Sequence, residues 1–132
     1  MIVDVSGPAV PRLSRAAITL FVAAVLRAAR ARGIAEVSIA FVSDAAMRRL
    51  NRHYRGKNTT TDVLTFPGDR PDIVISLEQA RRQARDEGHS LATEVRYLIL
   101  HGLLHALGYD HEIDGGEMNA LEMRVRGRVG LR

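Results

Sequence analysis

Residues 101–111 read His101-Gly102-Leu103-Leu104-His105-Ala106-Leu107-Gly108-Tyr109-Asp110-His111. From Ser90 up to this run the sequence is apolar almost all round, with Leu91, Val95, Leu98, Ile99, Leu100, Leu103, Leu104 and Leu107. That composition predicts a central buried helix, which Gly108 terminates. Residues four apart share one face of a helix, so His101 and His105 direct both imidazoles at one point. Gly108 accepts the left-handed conformation that ends a helix, and the chain can then turn so that His111 approaches the same point from the other side. Three neutral imidazoles hold one divalent metal. Zinc suits them best, with water in the fourth position, as in catalytic rather than structural sites; nickel and copper are compatible. With 5 His and 11 Gly in 132 residues, chance gives this spacing about six times in ten thousand such chains.

Composition bounds the rest. A chain of 132 residues, 46% hydrophobic and 26% charged, with 4 Pro and no Cys, predicts one globular domain over 1–132 with a real core. Without cysteine there is no disulfide, no thiolate metal site and no cysteine nucleophile. The net charge is +4, and Lys57 is the single lysine among the basic residues. An arginine-rich surface is compatible with phosphate partners. The apolar run from Ala16 to Leu26 is too short to span a bilayer. Asp4, Pro8 and Pro11 ahead of it argue for a buried helix rather than a secretion signal, which predicts a cytoplasmic protein.

Working outward, Ile2 to Val5 predicts a short strand, and a helix runs from about Ser14 to Arg32, closing at Gly33. Val37 to Val42 is β-rich. Ser43 caps a helix from Asp44 to about Tyr54 that ends at Gly56, with Arg48, Arg52 and Arg55 along one side. Asp62 to Phe66 and Asp72 to Ser76 read as neighbouring strands around the turn Pro67 to Pro71. Ser76 and Gln79 form a capping box for a helix to Glu87, stopped by Gly88. A last helix, from Glu117 to about Arg128, presents Met118, Leu121 and Val125 to the core. His53 and His89 read as surface residues.

The run HGLLHALGYDH resembles the signature of the YbeY family of metal-dependent endoribonucleases that act in ribosomal RNA maturation. Tyr54-Arg55-Gly56-Lys57 followed by Thr61-Asp62-Val63-Leu64-Thr65-Phe66-Pro67 is similar to that family's other motif, and Asp72 to Ser76 resembles the strand that follows. Pro71 departs from the glycine usual there. The resemblance covers about Asn51 to His111. It implies an α+β fold, zincin-like, with a small mixed β-sheet and helices packed around a central His-bearing helix. It implies that His101, His105 and His111 bind one divalent metal per chain, zinc foremost, and that Arg55 is the functional arginine beside them. The implied activity is single-strand-specific cleavage of RNA in small-subunit ribosomal RNA 3′-end processing and ribosome quality control. Implied partners are ribosomal RNA, ribosomal proteins or a ribosome-associated GTPase, with no membrane and no DNA.

The chemistry is consistent with those roles. A divalent ion polarises a phosphoryl oxygen and acidifies its water, and a guanidinium stabilises the charge that builds on phosphorus. The nucleophile is water or the ribose 2′-hydroxyl, and Asp110, Glu112 and Asp114 stand close in sequence without any being assigned as base. Arg48 and Arg52 are candidate substrate contacts, while Arg81, Arg82 and Arg85 read first as surface charges. Two rivals remain. The spacing H-x-x-x-H-x-x-G-x-x-H is also that of metzincin metalloproteases, except that Gly102 stands where those carry their glutamate base. The other is a non-catalytic, metal-stabilised module that binds RNA or the ribosome.

Overall fold

Along Glu36–Val42 (EVSIAFV) every second residue is buried, Val37, Ile39 and Phe41 pointing to one side. That two-residue period makes the segment a strand with one face on the main core. In the computed structural model, which describes residues 1–109 and 115–131, it is β2 of a four-stranded sheet. The others are β1 (Ile2–Ser6), β3 (Val63–Phe66) and β4 (Asp72–Ser76), in the order β1-β2-β4-β3. β2 pairs parallel with β1 and with β4, placing Val5 beside Ile39 and Ile39 beside Ile73. β3 pairs antiparallel with β4, with Leu64 opposite Val74. The sheet is therefore mixed, and its one antiparallel pair lies at an edge.

Five helices are described: α1 (Arg15–Ala28), α2 (Asp44–Arg55), α3 (Leu77–Glu87), α4 (Leu91–Ala106) and α5 (Glu117–Val129). Four begin at a serine, Ser14, Ser43, Ser76 and Ser90, whose hydroxyl accepts a hydrogen bond from a first-turn backbone N–H. α4 touches β3, β4, α1, α3 and α5, and its Val95, Ile99, Leu103 and Leu104 are fully buried. Met47 of α2 packs with Leu64 and Val74 in a second, smaller apolar cluster. Val74 alternates with Ile73 and Ile75, which join the main core, so the two clusters lie on opposite faces of the sheet. No helix among the described residues is long and apolar enough to cross a membrane.

Two expectations change. α1 ends at Ala28, not Arg32, because Arg30 takes the left-handed conformation (φ 56°) that glycine usually supplies. The Arg30 N–H then reaches Arg27 O at 3.0 Å and the Ala31 N–H reaches Leu26 O at 2.9 Å, the paired closure of a Schellman turn. At the start of α3 the Ser76 hydroxyl accepts from the Gln79 N–H at 3.2 Å, but the Gln79 side-chain oxygen accepts from Arg82 instead of completing a capping box.

Candidate active site

Arg55 is the last residue of α2, and the helix can stop there because Gly56 takes a left-handed φ of 68°. The chain then loops back through residues 57–62 into β3. Asn51, 2% exposed, holds that loop by donating its amide N–H to Thr59 O at 2.9 Å. On the other side, α4 lies tightly against the sheet. A Cβ on Gly102 would meet the Ile73 and Thr65 side chains at 3.0–3.3 Å, so the helix comes as close as a residue without a side chain permits. Between these walls lies a cavity of about 410 Å³ lined by Arg55, residues 61–65, Pro67, His101 and His105.

The structure thus brings together Arg55, His101 and His105, residues up to 50 positions apart in sequence. His101 Nε2 and His105 Nε2 face each other at 3.1 Å. A tetrahedral ion with metal–nitrogen bonds of about 2.0–2.1 Å holds two nitrogens roughly 3.4 Å apart, so the pair fits the donor set of such an ion. The other nitrogen of His101, Nδ1, lies 3.3 Å from Glu122 Oε1 on α5. A carboxylate behind a ligating imidazole fixes the ring and keeps the far nitrogen's lone pair pointing at the metal. Glu122 was not singled out from sequence, where it stands 21 residues beyond His101 among core positions of another helix.

His111, the third expected ligand, and Asp110, Glu112 and Asp114 lie outside the described residues. Gly108, with φ 98°, is in the left-handed region the turn requires. Arg48 and Arg52 are exposed on α2 and do not line the cavity. Among the described residues no carboxylate lies within ion-pair distance of the Arg55 guanidinium. Asp62 is the one carboxylate among the described residues on the cavity wall, and it is already engaged. Its Oδ1 accepts from the Val63 N–H at 2.8 Å and its Oδ2 from Gln83 at 3.2 Å. Next to this loop, Asp44 at the start of α2 accepts from Ser76 Oγ at 2.6 Å, from Thr60 Oγ1 at 3.3 Å and from Arg82. Burial pushes its carboxyl up, and the hydrogen bonds from Ser76 and Arg82, the Arg82 charge and the Thr60 hydroxyl outweigh this and hold it below the ordinary value of 3.8.

His89 is not a plain surface residue. Its Nε2 lies 2.6 Å from Glu94 Oε1 and its ring stacks on Tyr97 at 5.6 Å, on the wall of a second cavity that includes Arg126.

The sequence also matches a known family. The family described as Endoribonuclease YbeY matches residues 9–130. An endoribonuclease YbeY of Koribacter versatilis is 44% identical over 123 residues, covering 90% of this chain and 80% of that protein. One of Moorella thermoacetica is 44% identical over 119 residues, covering 76% of each. One of Solibacter usitatus is 53% identical over 91 residues, covering 67% of this chain; the match spans 62% of that protein's length. In fold, a Thermotoga maritima protein known from its solution structure superposes with a TM-score of 0.64 at 24% identity, over 97% of this chain and 89% of that one.

Proposed function

The chain belongs to the endoribonuclease YbeY family, and from that premise we propose that the cavity between α2, β3 and α4 is where an RNA phosphodiester is cut. The observation that carries this reading is the placement of Arg55, with no carboxylate among the described residues to neutralise it, on the same wall system as two facing imidazoles. A guanidinium at a polar cavity suits a substrate that arrives as a phosphodiester anion and gains charge in the transition state.

In this reading His101, His105 and His111 hold one divalent ion, with zinc the preferred identity on donor chemistry. When bound, such an ion supplies Lewis-acid polarisation of a phosphoryl oxygen and a water acidified to a pKa of about 7. Glu122 keeps the His101 ring in register through Nδ1. Arg55 donates to the non-bridging phosphoryl oxygens, binding them in the ground state and more strongly as charge builds. The nucleophile is water or the ribose 2′-hydroxyl. Arg48 and Arg52 serve substrate RNA beyond the cavity, as contacts to the flanking backbone.

We assign residues 1–132 to one zincin-like domain, a reading supported by a main apolar core that draws on β1, β2, β4, α1, α3, α4 and α5. The physiological substrate is small-subunit ribosomal RNA at its 3′ end and in ribosome quality control, met in the cytoplasm with ribosomal proteins or a ribosome-associated GTPase. A metzincin-type protease is disfavoured because it needs a glutamate at position 102, where this chain has a glycine packed close against Ile73 and Thr65.

The test is metal analysis of the purified chain together with cleavage of single-stranded and structured RNA, with and without chelator. One metal per chain and chelator-sensitive cutting of single strands is the expected result. Metal without cutting would point to the binding module, and absence of metal would remove the ligand assignment.

A further inference from the structure

Tyr54 is 60% exposed, although it sits one residue before Arg55 in the last turn of α2. Met47 and Asn51 are the buried residues of this helix, so Tyr54 is not placed for core packing. It is not a lone surface ring either. Its centroid lies 5.0 Å from that of Phe66 at an interplanar angle of 74°, and 4.5 Å from His53 at 89°. Both neighbours meet it steeply, so they brace the ring without either one stacking flat on it. Arg55 and Pro67, the chain neighbours of Tyr54 and Phe66, both line the cavity, so the aromatic pair stands one residue away from its wall, with Phe66 packed on the α2 side of the sheet.

We propose that Tyr54 is a stacking platform for an unpaired base of single-stranded RNA, next to the nucleotide whose phosphate Arg55 holds. The inference rests on the endoribonuclease reading above and adds to it a source of strand selectivity. RNA alternates charged phosphate with flat, apolar base faces, and a guanidinium beside a braced aromatic ring offers one partner for each. In a duplex the base faces are already occupied by their neighbours, so only an unpaired base can lie on the ring. The last turn of α2 adds Arg52 and His53 to the same end of the helix, which favours a polyanion over an apolar peptide.

The test uses the metal-loaded protein and a short single-stranded oligoribonucleotide carrying 2-aminopurine, whose fluorescence falls on stacking, read immediately after mixing; cutting of the same strand is followed later. Wild type is expected to quench the probe and Tyr54→Phe, which keeps the ring, to do the same. Tyr54→Ala is expected to lose the quenching, to bind about tenfold more weakly, and to show the defect in KM more than in kcat. The same probe within a duplex, already stacked on its neighbours, should show no further fall when the protein is added. Wild type that cuts without quenching, or Tyr54→Ala that quenches and binds as wild type does, overturns the platform and leaves the endoribonuclease reading intact. A wild-type chain that neither binds nor cuts the strand overturns both.

Discussion

A Cβ atom on Gly102 would stand 3.0 Å from Ile73 Cγ2, because α4 is pressed against β4 directly beside the first histidine. That contact sets the depth at which His101 and His105 meet the cavity, and a side chain where a metalloprotease keeps its base would force Ile73 and Thr65 to shift. Gly102→Glu should therefore cost about 3 kcal/mol or more, from overpacking and from burying a carboxylate. Thermal unfolding should register a fall of about 10 °C or more. A Gly102→Glu chain as stable as wild type would show that α4 does not pack as described.

Arg55 is exposed and unpaired among the described residues, so its removal should leave folding intact. Arg55→Ala is expected to lower RNA cleavage by about a hundredfold or more, the scale of losing one charged donor to the transition state, with the melting temperature and metal content unchanged. Arg55→Lys should recover only part of the loss, since an ammonium cannot make the forked contact. Full activity in Arg55→Ala would end its assigned role.

His101→Ala and His105→Ala should each abolish stoichiometric metal binding. Glu122→Gln is the finer probe. It keeps the size of the group 3.3 Å from His101 Nδ1 but removes the charge, and should weaken metal affinity by about 10–100-fold. Competition against a chelating dye measures this without any RNA. An affinity equal to wild type would mean that Glu122 does not orient the ligand.

Asn51 donates to the Thr59 carbonyl from a buried position while its own Oδ1 lacks a partner among the described residues. Asn51→Ala should cost about 1–2 kcal/mol and speed hydrogen exchange in the loop around Thr59. Asn51→Asp should be worse at neutral pH, because it sets a carboxylate against a carbonyl oxygen. Denaturant titration orders the three proteins, and equal stability of the two variants would contradict the hydrogen bond.

Asp44 titrates below its ordinary value of 3.8 in the folded chain. A lowered folded pKa gives stability that is fully present above the unfolded value and is lost as pH falls through the folded one. Asp44→Asn should therefore be less stable than wild type by about 1–2 kcal/mol at pH 7, with the gap closing below pH 3.8. Urea midpoints at neutral and acid pH give the comparison, and a gap independent of pH would exclude the carboxylate as its source.

Much of this arrangement was legible before any coordinates. The alternation of Val37, Ile39 and Phe41, the apolar run through α4 and the serine caps at Ser43 and Ser76 are local signals, written within a few residues of where they act. The i and i+4 spacing of His101 and His105 is local too. What escaped reading depends on approach across space. Strand order places β4 between β2 and β3, Glu122 meets His101 across two helices, and Glu94 engages His89 beneath Tyr97. Arg30 shows a different limit, since a residue type that ordinarily avoids the left-handed region took the position expected of Gly33.

The cavity wall is also divided by the chain's own course. Arg55, residues 61–65 and Pro67 precede the turn that carries Gly68, Asp69 and the exposed Arg70, whereas both imidazoles follow it. A single proteolytic nick in that turn would leave the guanidinium on one fragment and the histidines on the other, joined by the pairing of β4 with β2 and β3 and by the packing of α4 on β3 and of α4 and α5 on α1. Neither fragment has half an activity to keep. Complementation between the two would thus report on sheet assembly and on the chemistry in the same tube.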